Sequence, residues 1–174
     1  MSADPSEPEK RLLLFRHGKS DWDAPVGGDH ERPLNKRGVR AAKTMGRVLA
    51  DTERVPHHAI TSSAVRARTT LELAHDAGSW PTTIEVEPAL YHSSPSAVLE
   101  VVARTSPDVD SLMLVGHEPT WSTLASLLTG EEIPVKTATV VGIDLDVDRW
   151  NRAPMARGRT AFVLYPRDFD EAGR

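Results

Sequence analysis

A chain of 174 residues, 39% hydrophobic and 26% charged, has the length of one domain of ~100–200 residues with its own core. Its composition is that of an ordinary soluble globular protein. The absence of cysteine excludes disulfides, thiolate catalysis and cysteine-based zinc sites, and a net charge of −4 argues against general attraction to nucleic acid.

Met1–Lys10 is rich in Pro, Ser, Asp and Glu and reads as a disordered leader. It lacks the apolar centre of a signal peptide, and no run approaches the ~20 apolar residues that span a bilayer. The expectation is a cytoplasmic protein with no membrane partner. The folded domain is expected over residues 11–167, with Asp168–Arg174 as a polar tail.

Leu12–Phe15 is an unbroken apolar run, as is Leu112–Val115. Runs without alternation suit strands buried on both faces of a largely parallel sheet. Weaker strand patterns follow at His58–Thr61, Ile84–Val86, Thr139–Leu145 and Ala161–Tyr165. Between them, Val39, Ala42, Met45 and Leu49 recur at helical spacing, with Asn35 as an N-cap. Ala64, Ala67, Leu71 and Ala74 draw a second helix, with Gly78 as its stop. Ser94-Pro95 and Glu118-Pro119 place proline at the first position of two more helices. Alternating strands and helices predict an α/β fold, a three-layer αβα sandwich around a mostly parallel sheet.

In such sheets ligands bind beyond the carboxyl ends of the strands. Both central runs end there in a histidine beside a glycine, His17-Gly18 and Gly116-His117, and the glycines are read as giving substrate room to approach. An imidazole nitrogen is a competent nucleophile at neutral pH, which nominates His17. Phosphoryl transfer asks for cations fixed around the equatorial oxygens, and arginine's planar fork suits phosphate. Arg16 adjoins His17, Arg66 is placed at the opening of a helix on the same edge, and protonated His117 is expected as a third contact. Lys19 and Ser20 lie on the loop after His17 and are secondary candidates.

LLLFRHGKS, SSAVRARTT and LMLVGHEPT, in that order, resemble the three signatures of the histidine phosphatase superfamily, branch 1, whose fold is phosphoglycerate-mutase-like. PLNKRG and PALYHSSP make the chain most similar to the SixA-type phosphohistidine phosphatases. The resemblance implies a phosphohistidine intermediate at His17, with Arg16, Arg66 and His117 as catalytic phosphate ligands and Gly18, Lys19 and Ser20 beside them. It implies no metal and no cofactor.

Larger relatives carry a glutamate as general acid, where this chain has the stretch Leu90-Tyr91-His92. His92 and Glu118 are therefore alternative proton donors, Glu118 having a second reading as a complement to a helix N-terminus. A phosphoramidate nitrogen departs as neutral imidazole with little help, which favours a phosphohistidine-bearing protein as substrate. The alternatives are a phosphomonoesterase or mutase acting on a small phosphorylated metabolite, and an inactive phosphate-binding regulatory domain. Trp22 and Trp121, each about one turn beyond a candidate histidine, are read as pocket walls, Trp121 having a second reading on a helix core face. The cluster Arg149, Arg152, Arg157 and Arg159 is read as a solvated loop, and a carboxylate at Asp23 would repel phosphate.

Overall fold

Residues 10–169 are described in a computed structural model; the rest of the expected leader and tail lies outside them. β1 (Lys10–Arg16), β2 (His58–Thr61), β3 (Thr83–Val86), β4 (Ser111–Gly116), β5 (Val140–Leu145) and β6 (Gly158–Leu164) form one sheet in the order β3-β2-β4-β1-β5-β6. The pairs β3-β2, β2-β4 and β4-β1 are parallel, while β5 runs antiparallel to β1 and β6 to β5. The two unbroken apolar runs are the two central strands. No helix among the described residues is long and apolar enough to cross a membrane.

Alternation across the sheet splits each run between two cores. Leu13, Phe15, Met113 and Val115 pack under α1 (Lys36–Asp51) and α2 (Val65–Gly78). Leu12, Leu14, Leu112 and Leu114 face α3 (Pro95–Ala103) and α4 (Thr120–Thr129). All eight side chains are fully buried, each contributing about 1.5–3 kcal/mol relative to exposure. Burial on both faces is the reason these strands lack a polar alternation.

The caps hold in part. Asn35 accepts from the Gly38 amide and Ser94 from the Ala97 amide, and Pro95 opens α3. Pro119 stands one position before the helix, because its carbonyl takes the first intrahelical bond from the Thr123 amide at 3.1 Å. Gly78 stays helical and the chain leaves through Ser79 at φ 53°. A Cβ at Gly78 would lie 2.3 Å from the Trp80 indole nitrogen, so that glycine answers to packing.

Three boundaries move. Lys10 belongs to β1 and is buried, its ammonium donating to the Pro107 carbonyl at 2.7 Å and the Asp110 carboxylate at 3.0 Å. Asp168 closes a 3-10 turn at Pro166–Asp168. β6 starts at Gly158, earlier than its apolar pattern, because pairing with β5 extends to Gly158 opposite Leu145.

Candidate active site

Parallel pairing sets Arg16 opposite Gly116, so β1 and β4 release the chain at the same edge. The His17 amide then donates to the Gly116 carbonyl at 3.1 Å. The two imidazoles that follow lie 5.3 Å apart, centroid to centroid, tilted by 55°. His17 Nδ1 is 2.7 Å from the Gly18 carbonyl; a carbonyl only accepts, so Nδ1 carries the proton and Nε2 keeps its lone pair. Burial, reinforced by Arg66, Arg16 and Arg32 and opposed by the Gly18 hydrogen bond, pushes the His17 pKa down to about 4. The ring is neutral at pH 7.

His117 meets the Ser62 hydroxyl through Nε2 at 2.8 Å, while its buried Nδ1 has no partner. Burial first, then His17 and Arg66, push its pKa down to about 3. Burial beside a second imidazole and an arginine disfavours the charge on His117, so a protonated His117 would need a neighbouring anion to offset them.

Arg16 donates to the Val135 carbonyl at 3.0 Å, and its buried Nε has no partner. Arg66, the second residue of α2, donates from Nη1 to the Asp29 carbonyl at 2.8 Å and from Nη2 to the Asp29 carboxylate at 3.0 Å. Sequence reasoning missed what surrounds it. Arg32 donates to the same carboxylate at 2.7 Å and to the Ser20 hydroxyl. Tyr91 donates to it at 2.7 Å, and the Trp22 ring lies 3.5 Å from the Arg32 guanidinium carbon. Hydrogen bonds from Arg32, Tyr91 and Arg66 hold the Asp29 carboxyl well below the usual carboxylate range, against a smaller opposing effect of burial. The local signal was an Asp–Arg pair three residues apart before Pro33; nothing in it points to Arg66.

Arg16, His17, Lys19, Ser20, Arg66, His92, His117 and Glu118 all line one cleft of about 610 Å³, joined by Arg32, Tyr91 and Trp22. Trp22 is a wall, whereas Trp121 is fully buried and donates to the Phe15 carbonyl at 3.2 Å. Glu118 spends both carboxylate oxygens on Ser122, amide and hydroxyl, each at 2.7 Å, so it holds the first turn of α4. His92 sits at φ 53° with its ring 4.0 Å from that of Tyr91.

The two glycines do not serve substrate. Gly18 gives its amide to the Thr70 hydroxyl at 3.0 Å and its carbonyl to His17, leaving neither group for phosphate. A Cβ there would lie 2.8 Å from the Gly38 carbonyl, and one at Gly116 would lie 2.6 Å from the Trp121 ring. The loop after Leu145, with the Arg149–Arg159 cluster, lies at the opposite end of the sheet, where Leu145 pairs with Lys10. Arg152 there pairs with Asp148.

Facing histidines among arginines at the carboxyl edge of this sheet define a phosphatase architecture, and comparison with known proteins agrees. Residues 12–92 match the family model of the histidine phosphatase superfamily, branch 1. An uncharacterized protein of Mycobacterium tuberculosis is 38% identical over 114 residues, 66% of this chain and 69% of its own. The phosphohistidine phosphatase SixA of Escherichia coli is 28% identical over 140 residues, covering 78% of this chain and 86% of that protein. A structure from Agrobacterium tumefaciens, assigned as a phosphohistidine phosphatase SixA, superposes with a TM-score of 0.78 at 27% identity over 91% of this chain and 99% of that one. The chain belongs to the histidine phosphatase superfamily, branch 1, and is an enzyme of the phosphatase type.

Proposed function

We propose that this phosphatase removes the phosphoryl group from phosphohistidine on a partner protein, without a metal ion, by two in-line transfers through His17. The hydrogen bond from His17 Nδ1 to the Gly18 carbonyl carries the reading, since it leaves Nε2 unprotonated among cations. In the first transfer Nε2 bonds to phosphorus as the substrate's P–N bond breaks. The substrate imidazole, protonated on its other nitrogen, leaves neutral. Water then attacks phospho-His17, its P–N bond breaks, and inorganic phosphate departs.

Arg16, Arg66 and His117 are the phosphoryl ligands, and Arg32 joins them. Arg16 Nε, Arg32 Nε, Arg66 Nε and His117 Nδ1 are buried without partners, and a phosphoryl dianion is their complement in charge. A dianion would also raise the His117 pKa and recruit its proton. Cationic neighbours make the histidine pair a poor cation site, so activity is expected to survive chelation. Between Leu90 and β4 the chain spends itself on α3 and a short loop, which builds no lid and suits a protein-sized substrate.

The test is phosphate release, in chelator, from a phosphohistidine-bearing protein and from an aryl phosphate, with wild type and His17→Ala. Preference for phosphohistidine with a dead variant is expected. A better ester than phosphohistidine would give first place to a small-molecule phosphatase; release from neither would leave a phosphate-binding domain.

A further inference from the structure

Next to the cleft, and sharing Lys19 and Thr137 with it, lies a second pocket of about 220 Å³. Lys19, Arg37, Arg40, Lys136 and Arg167 surround it, and no acidic residue lines it. All five are exposed. Among the described residues, no carboxylate lies within ion-pairing distance of Lys19, Arg37, Arg40 or Lys136, and Arg167 reaches only Asp168, at 3.9 Å.

This arrangement works against stability. Arg37 and Arg40 sit in the opening turns of α1, which has no acid in its first turn, although the positive end of a helix dipole favours anions. Five cations gathered on a chain of net charge −4 are a local excess, and one that breaks a stabilising rule with so little compensation among the described residues points to an external partner.

The pocket is tied rigidly to the nucleophile. The Ala138 amide, two residues beyond Lys136, donates to the carbonyl of His17 itself at 3.0 Å, and the Asn35 amide donates to the Lys19 carbonyl at 2.9 Å. Tyr165 clamps the far side by donating to the Pro134 carbonyl at 2.9 Å. Whatever binds the pocket is therefore held at a set displacement from the phosphoryl group.

We propose that this pocket docks carboxylate side chains of the protein that carries the phosphohistidine, an acidic patch adjoining the phosphorylated residue. The assignment rests on the phosphohistidine reading above. Flexible, exposed Lys and Arg spread round an open rim suit several carboxylates of a protein surface better than one compact phosphate, which arginine forks would grip from within.

The experiment uses two synthetic phosphohistidine peptides that differ only in Glu or Gln at the flanking positions. Wild type is expected to favour the Glu peptide by about tenfold in kcat/KM, an advantage that shrinks as salt is added. The triple variant R37E/R40E/K136E is expected to lose the advantage while hydrolysing the Gln peptide and an aryl phosphate like wild type. Equal rates on both peptides, or an advantage that survives in the variant, overturn the proposal. Polyglutamate, tested as an inhibitor of aryl phosphate hydrolysis, separates the two readings. If neither peptide is cleaved, the phosphohistidine reading fails; inhibition of wild type but not of the variant then supports an acidic-ligand pocket, and inhibition of neither overturns it.

Discussion

Arg66 grips Asp29 twice, through the backbone carbonyl at 2.8 Å and the carboxylate at 3.0 Å. Arg32 and Tyr91 hold the same carboxylate, so one acid moors two guanidinium groups at the rim of the cleft. Asp29→Asn keeps the shape and removes the charge. Its kcat is expected to fall about tenfold as the guanidinium groups lose their mooring, while inorganic phosphate becomes a stronger inhibitor because a competing anion is gone. Steady-state kinetics with added phosphate check both; an unchanged inhibition constant would refute the competition.

Arg66→Lys retains the charge and loses the fork. A lysine cannot hold Asp29 at two points while offering a donor to phosphate, so a loss of about 10²–10³-fold in kcat is expected, the size seen when one preorganised transition-state donor is removed. Wild-type turnover in this variant would show that charge alone suffices.

Stability should decline as pH falls. The pKa values of His17 and His117 are pushed down to about 4 and about 3, below the ~6.5 of an unfolded chain. The unfolded state therefore takes up protons first, and the stabilising effect of neutral burial is full above about pH 6.5 and lost toward the folded values. Asp29, also depressed, acts in the same sense: its contribution is full above the ordinary carboxylate pKa of ~4 and lost at lower pH. Denaturant titrations across this range should find the slope reduced in His17→Asn. A slope of the opposite sign would show that the histidines are charged in the fold.

Glu118→Gln disturbs the first turn of α4, where both carboxylate oxygens serve Ser122. A loss of about 1 kcal/mol in stability is expected, with phosphohistidine turnover nearly unchanged. His92→Ala is likewise expected to leave phosphohistidine turnover intact. A general acid contributes about 10²–10⁴-fold, so a fall of that size in either variant would identify the proton donor and return the small phosphomonoester to consideration.

Gly38→Ala would place a Cβ 2.2 Å from the Lys19 carbonyl. The loop after His17 and the start of α1 must then separate, at a cost of about 1–3 kcal/mol. A lower Tm and a reduced kcat should appear together, and an unperturbed melting curve would mean that the close approach is absent in solution.

Much of the fold was legible because its signals are local. The unbroken runs at Leu12 and Leu112 announce strands covered on both sides, and Asn35 and Ser94 cap the helices that follow them. Pro119 and Gly78 misled, since a residue's preference names a neighbourhood and the surrounding bonds choose the position. In the cleft, His17, His117, Arg16 and Arg66 were legible because each sits at a strand end or helix start that the alternation brings to one edge. Asp29, Arg32 and Tyr91 were not, because what joins them to Arg66 is contact between segments distant in sequence.

By itself the sequence determined the order of the elements, the two-faced burial of the central strands and the family, because periodicity, caps and motifs are written in neighbouring residues. Only the tertiary structure decided that Gly18 and Gly116 make room for Gly38 and Trp121, that Glu118 serves a helix, and that burial disfavours the charge on His17 and His117. Each of these depends on which distant backbone or side chain comes within a few ångströms. Steric fit and desolvation arise only when the layers close.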